Sequence, residues 1–125
     1  EDYPKGLYEM EMHVKSRYGL PSFVTETGAM VQADASAGAS WLARHATWTR
    51  RAIRDGADVR GFFYWTLIDN YEWNHGMAYQ FGLYAVDKAD PQKKRVARSA
   101  VATYKQITAA NDVPAALETQ YPAPE

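Results

Sequence analysis

Val59-Arg60-Gly61-Phe62-Phe63-Tyr64-Trp65-Thr66 is an apolar run of strand length in which polar and apolar residues hardly alternate. A strand with one wet face alternates. A strand covered on both faces does not, and such a run is the signature of a parallel sheet sandwiched by helices. Immediately upstream, residues 39–55 place Trp41, Leu42, His45, Trp48, Ala52 and Ile53 on one broad stripe, with Arg44, Arg51 and Arg54 outside it. That spacing predicts an amphipathic helix, with Gly56 as its C-cap.

Further toward the N-terminus, Phe23-Val24-Thr25-Glu26 is a short β-prone run ending in a carboxylate and followed by Gly28; it reads as a second strand. Before it, Leu7, Met10, Val14 and Tyr18 recur at helical spacing over residues 6–18, and Gly19 and Pro21 end that helix. Residues 29–38 are small and polar without sustained periodicity and are expected to form a loop.

Downstream of the apolar run, Asp69-Asn70-Tyr71-Glu72-Trp73-Asn74-His75-Gly76 is too polar for core and too aromatic for an ordinary linker. Residues 81–87 form an extended segment that can be half of a hairpin. Residues 95–110 predict a final helix with Val96, Ala100, Tyr104 and Ile107 on one face. With Pro114, Pro122 and Pro124, residues 112–125 are expected to be an irregular tail, leaving residues 1–111 as the folded part. Helix, strand, helix, strand, loop, helix is the rhythm of βα units in an α/β fold. Two parallel strands leave both edges and much apolar surface unpaired, so the fold is expected to be incomplete alone.

Composition removes several functions. The 125 residues are 46% hydrophobic and 14% aromatic, ample for a packed core. A formal net charge of -1 supplies no positive field for phosphate backbones or anionic lipid, so neither nucleic acid nor membrane is an expected partner. The absence of cysteine excludes a disulfide framework, a thiolate nucleophile and a thiolate zinc site, and agrees with a reducing compartment such as the cytoplasm. No apolar run approaches the roughly 18 residues of a membrane span, and no signal-peptide pattern gives the chain an address. His13, His45 and His75 lack metal-ligand spacing, and no phosphate-binding glycine loop or dinucleotide fingerprint occurs. No metal or cofactor is expected.

In a parallel barrel, catalytic groups sit where strands end and βα loops begin. Glu26 and Glu72 are the first candidates, with Asp69 between them. A glutamate at a strand end is as easily a solvated loop carboxylate or a capping partner. Glu72, however, lies beside Trp73 and close to Trp65 and Tyr71. Aromatic faces with carboxylates suit a sugar site, because pyranose C–H faces stack on rings while hydroxyls need oriented acceptors. Glycoside cleavage usually uses two carboxyl groups. By composition Glu26 and Glu72 could be that pair, and the aromatics could equally be core.

The motifs resolve part of this. Tyr18-Gly19-Leu20-Pro21 followed by Thr25-Glu26-Thr27-Gly28 resembles the nucleophile segment of glycoside hydrolase family 1, the retaining β-glucosidase family. Asp55-Gly56 with Gly61, the stretch from Trp65 to Trp73, Phe81-Gly82-Leu83 with Val86-Asp87, and the opening Tyr3-Pro4-Lys5-Gly6-Leu7-Tyr8 are similar to further family segments, in the family's order. The resemblance implies the C-terminal portion of a (β/α)8 TIM barrel, its last two strands and flanking helices. It implies Glu26 as catalytic nucleophile, Trp65 as the platform under the sugar, Glu72 as acceptor for outer hydroxyls, Trp73 as a ring N–H donor and Phe81 as an apolar wall. Glu72 thereby changes from possible acid to sugar holder. A carboxylate there would repel the phosphate of a 6-phospho-glycoside, which favours unphosphorylated glucosides, galactosides or fucosides.

Two departures stand out. Thr27 replaces the family's Asn, and the 33–38 loop lacks the paired Asp and Arg that usually precede the next helix, which leaves leaving-group preference open. The acid/base glutamate of the family's Asn-Glu-Pro motif does not occur here. The expectation is therefore hydrolysis of β-O-glycosidic bonds with retention, performed only with the N-terminal remainder of the barrel, present as a segment or a second chain. The partner substrate is a small β-glycoside or oligosaccharide. The alternative is a non-catalytic carbohydrate-binding or scaffold protein on a degenerate or split barrel.

Overall fold

The computed structural model describes residues 2–31 and 36–124; residues 33–35 of the 33–38 loop lie outside them. Helix α1 (Lys5–Tyr18) ends at Gly19, whose positive φ lets its N–H turn back to the Lys15 carbonyl. The expected apolar face of α1 is not the one that packs: Met10 and Tyr18 are exposed, and Glu11 is the helix's buried residue. Tyr8, Glu11 and Lys15 form a polar stripe toward the neighbouring elements. Tyr8 and Lys15 donate to Asp55, and Glu11 accepts the hydroxyl of Ser22. Hydrogen bonds to partners far along the chain set the rotation of this helix, which periodicity alone cannot register.

Strand β1 (Ser22–Thr27) and strand β2 (Val59–Tyr64) pair in parallel, connected through helix α2 (Ala37–Arg54). The helix starts two residues earlier than its pattern predicts, and Gly38 in its first turn fits against Val31 and Ala100, where an added Cβ would lie 2.8 Å from the Tyr64 hydroxyl. Leu42, His45, Trp48 and Ala52 are buried as expected, while Ile53 is exposed. Asp55 caps the helix, and Gly56 takes the positive φ one residue beyond.

The segment after Phe81 does form half of a hairpin. Strand β3 (Tyr84–Val86) pairs antiparallel with strand β4 (Arg95–Ala97). Helix α3 (Ser99–Ala110) is accordingly shorter than predicted, and Val96, assigned to its buried face, is an exposed strand residue. Ala100 and Leu83 join Ala39 of α2 in one core cluster, with Tyr64 and Tyr104 against it. The tail is not irregular throughout: helix α4 (Ala115–Gln120) follows Pro114 and buries Leu117 against Val113 and Ala46. A proline just ahead of a helix costs nothing, since its missing N–H would have had no helical partner.

The helices cover one side of the β1–β2 pair. On the other side Phe23 and Phe63 are 55% and 54% exposed, and among the described residues neither outer edge of the pair has a strand beside it.

Candidate active site

Register decides which way Glu26 faces. Val24 pairs with Phe62 and Thr27 with Tyr64, so three steps along β1 match two along β2. One extra residue is accommodated, a β-bulge, and it resets the alternation of side chains. Val24 is buried on the helix side, and Thr27 returns to that side, where its hydroxyl accepts the indole N–H of Trp41 in α2 at 2.9 Å. Glu26, one residue before Thr27, therefore lies on the opposite face. Without the bulge it would share the side of Val24.

That opposite face carries Phe23, Gly61 and Phe63: a Cβ on Gly61 would meet the rings of both phenylalanines, at 2.5 and 3.1 Å. Carried one residue past the end of β2, the same alternation puts Trp65 on the face of Phe63. The end of β1 is tied to it directly, because the main-chain N–H of Trp65 donates to the Thr27 carbonyl at 2.8 Å. Gly28 is pressed against this turn, and any Cβ there would sit 2.1 Å from the Trp65 carbonyl oxygen. The Trp65–Thr66 peptide bond is cis.

The next loop brings Glu72 back to the same place. The indole N–H of Trp65 donates to its carboxylate at 3.3 Å. A tight turn holds Glu72, its own N–H donating to the Gly76 carbonyl at 2.7 Å and its carbonyl accepting from His75. Phe81 is half-buried, and its carbonyl accepts the N–H of Thr66 at a long 3.4 Å. Trp73 stands apart: it is 86% exposed and has a φ of 48°, a backbone conformation uncommon for a bulky residue. The structure thus gathers Trp65, Glu72 and Phe81 around one turn and sets Glu26 on the adjoining strand, while Trp73 is exposed at the rim; the rings of His75 and Tyr79 stack on each other in the same loop.

Asp69 does not face the site. It is buried at the base of the loop, where the Arg98 guanidinium forks onto both of its oxygens at 2.9 Å and the N–H of Gly82 donates to it at 2.9 Å. Burial by itself would raise this carboxyl, but the Arg98 and Gly82 hydrogen bonds outweigh it and hold the group below the usual carboxylate range. Arg98 also donates to the Gln80 side chain at 2.8 Å and to the Gly82 carbonyl, so it fastens both ends of the 69–82 loop. Sequence reading missed Arg98 and Trp41. Their partners lie 29 and 14 residues away, and no local pattern marks such pairs.

A cavity of about 660 Å³ lies elsewhere, between α2 and α3 beneath Phe62 and Tyr104, and contains none of the candidate residues. The candidate site is an open shelf, because among the described residues the helices pack on one side of the β1–β2 pair and leave Phe23 and Phe63 exposed on the other.

Comparison with known proteins gives the shelf a context. Residues 1–113 match the sequence profile of glycosyl hydrolase family 1. The β-galactosidase of Sulfolobus acidocaldarius is 39% identical over 118 residues, covering 94% of this chain and 23% of that protein. A chloroplastic benzoxazinyl glucoside β-D-glucosidase of Triticum aestivum, 1c, is 41% identical over 125 aligned positions, covering 92% of this chain and 21% of its own length. Among solved structures, the β-glycosidase from Pyrococcus horikoshii superimposes with a TM-score of 0.88 at 36% identity, over 98% of this chain and 28% of that one. The β-glucosidase from Thermotoga maritima in complex with glucoimidazole gives 0.82 at 28% identity, over 91% and 28%. The chain spans about a quarter of the length of the relatives it matches.

Proposed function

The chain belongs to glycosyl hydrolase family 1, and from that premise we propose that it supplies the nucleophile and much of the first sugar subsite of a retaining β-glycosidase. The supporting observation is the bulge in β1, which puts Glu26 on the same sheet face as Trp65, whose indole in turn holds Glu72. In this reading β1 and β2 are the seventh and eighth strands of a (β/α)8 barrel. The remaining strands, supplied by an N-terminal segment or a second chain, pair with the open edges and cover Phe23 and Phe63.

The chemistry follows from the placement. A pyranose lies on the face of Trp65, with its outer hydroxyls donating to the Glu72 carboxylate, the Trp73 indole N–H meeting a neighbouring oxygen, and Phe81 closing the apolar side. A Glu26 oxygen then bonds to the anomeric carbon as the bond to the aglycone oxygen breaks. That oxygen leaves with a proton from an acid contributed by another part of the barrel. Water, giving its proton to the same group, displaces Glu26 and releases the sugar with its configuration retained.

No cofactor takes part in the proposed reaction, and the substrate is an unphosphorylated β-glucoside, β-galactoside or β-fucoside. In the complete barrel, Glu26→Ala should abolish turnover of a nitrophenyl β-glucoside while leaving the sugar's binding measurable by calorimetry. Undiminished turnover by that variant would reject the proposal. A non-catalytic carbohydrate-binding protein, by contrast, would bind the sugar with no turnover even before substitution.

A further inference from the structure

We infer that Trp41 is a positioning residue for Glu26, acting through Thr27; this rests on the proposed function of Glu26. Thr27 is the junction of three elements. Its hydroxyl accepts the Trp41 indole N–H from α2 at 2.9 Å. Its carbonyl accepts the Trp65 N–H at 2.8 Å. Its backbone closes the bulge that turns Glu26 away from the helix side.

A bulge leaves its extra residue without a ladder partner, so the end of β1 needs an anchor from outside the sheet. Trp41 supplies it from a rigid source. Its ring is stacked on the His45 imidazole at 4.0 Å and 18°, and the His45 Nδ1 lies 2.9 Å from the Trp41 carbonyl. Contacts across one turn of α2 therefore fix the indole, and the indole fixes the Thr27 side chain on the helix side. With Thr27 held there, alternation leaves Glu26 only the face it shares with Trp65. If the anchor is lost, the bulge can migrate by one residue, and Glu26 spends part of its time misdirected. Trp41 and Thr27 touch neither the sugar nor the reacting atoms; they set how often the nucleophile is aimed.

The test uses the complete barrel and four variants: Thr27→Val, Thr27→Ser, Trp41→Phe, and Thr27→Val combined with Trp41→Phe. The rate at which a 2-fluoro glycoside inactivates each enzyme reports Glu26 attack, and KM reports the shelf. Thr27→Val and Trp41→Phe should each slow inactivation about 10-fold, the rate equivalent of one hydrogen bond of about 1.4 kcal/mol, with KM changed less than about 2-fold. Thr27→Ser should restore most of the rate. The double variant should lose no more than either single one, because one bond is removed in every case. Unchanged inactivation in Thr27→Val, or additive losses in the double variant, would overturn the inference while leaving Glu26 in place. Turnover that survives Glu26→Ala would reject the proposed function, and the positioning role with it.

Discussion

The indole N–H of Trp65 donates to the carboxylate of Glu72 across a seven-residue loop, at 3.3 Å. The bond is long and both groups are partly accessible, so it leaves lone pairs on Glu72 free while fixing where they point. In the proposed function, a sugar arriving on the ring would find acceptors already oriented, which would limit the ordering cost of binding.

Glu72→Ala should for that reason lower kcat/KM for a β-glucoside about 100-fold. That loss corresponds to about 2.7 kcal/mol, within the range for hydrogen bonds from sugar hydroxyls to a charged acceptor. Steady-state kinetics of the complete barrel check it. Glu72→Gln, which keeps one acceptor, should fall between the variant and the parent.

Arg98→Ala should be costly to stability. It strands the Asp69 carboxylate in a buried site, and breaking one side of a buried pair costs about 3 kcal/mol. Urea titration should show this loss, and Arg98→Lys should recover only part, because an ammonium cannot fork onto both oxygens. The pH dependence follows from the same pair. The Asp69 carboxyl is depressed in the folded state, so its contribution is complete above the ordinary value of 3.8 and fades as pH falls from there through the lower folded value. In Arg98→Ala that acid-side loss should be smaller.

Gly28→Ala tests how tightly the strand end meets the Trp65 turn. The obstructing atom is a backbone oxygen, 2.1 Å from the ideal Cβ position, and cannot rotate away. The turn must shift, at a cost of about 2 kcal/mol. Activity should fall more than stability alone explains, since both Trp65 and the segment bearing Glu26 move. Comparing melting temperature with kcat/KM for this variant checks the claim.

His45 should titrate below its ordinary value of 6.5. Burial in α2 is the main cause and outweighs the opposing contact with the Trp41 carbonyl. Stability from this neutral imidazole is complete above 6.5 and declines as pH falls from 6.5 toward the lower folded value, where the unfolded chain binds the extra proton. The His45 ring resonances in an NMR titration give the midpoint directly, and a midpoint above 6.5 would contradict the assignment.

How much of this was legible before any coordinates depended on how local the cause was. Residues 59–66 declare a strand because their composition alone carries that information, although β2 ends at Tyr64 and only its helix side is covered, Phe63 being exposed on the other; the α2 stripe through Leu42, His45 and Trp48 is visible as periodicity. Strand β4 was hidden inside a helical pattern: Val96 stands four residues before Ala100, and only pairing with Tyr84–Val86 pulls it out of the helix. Helix α4 was masked by prolines that flank it without interrupting it. In the site, the motif around Glu26 and the stretch from Trp65 to Trp73 could be read directly. The facing of Glu26 could not, since it depends on one extra residue in a strand register. Nor could the Arg98–Asp69 and Trp41–Thr27 pairs, which join residues distant in sequence.

The most direct measurement is covalent. Incubation of the complete barrel with a 2-fluoro β-glucoside, followed by proteolysis and mass spectrometry, should find the fluorosugar on the peptide spanning Thr25 to Gly28, attached to Glu26 at one equivalent per active site. Label on Glu72 or any other residue, or turnover of the inhibitor without a trapped intermediate in which Glu26 is modified, would contradict the account.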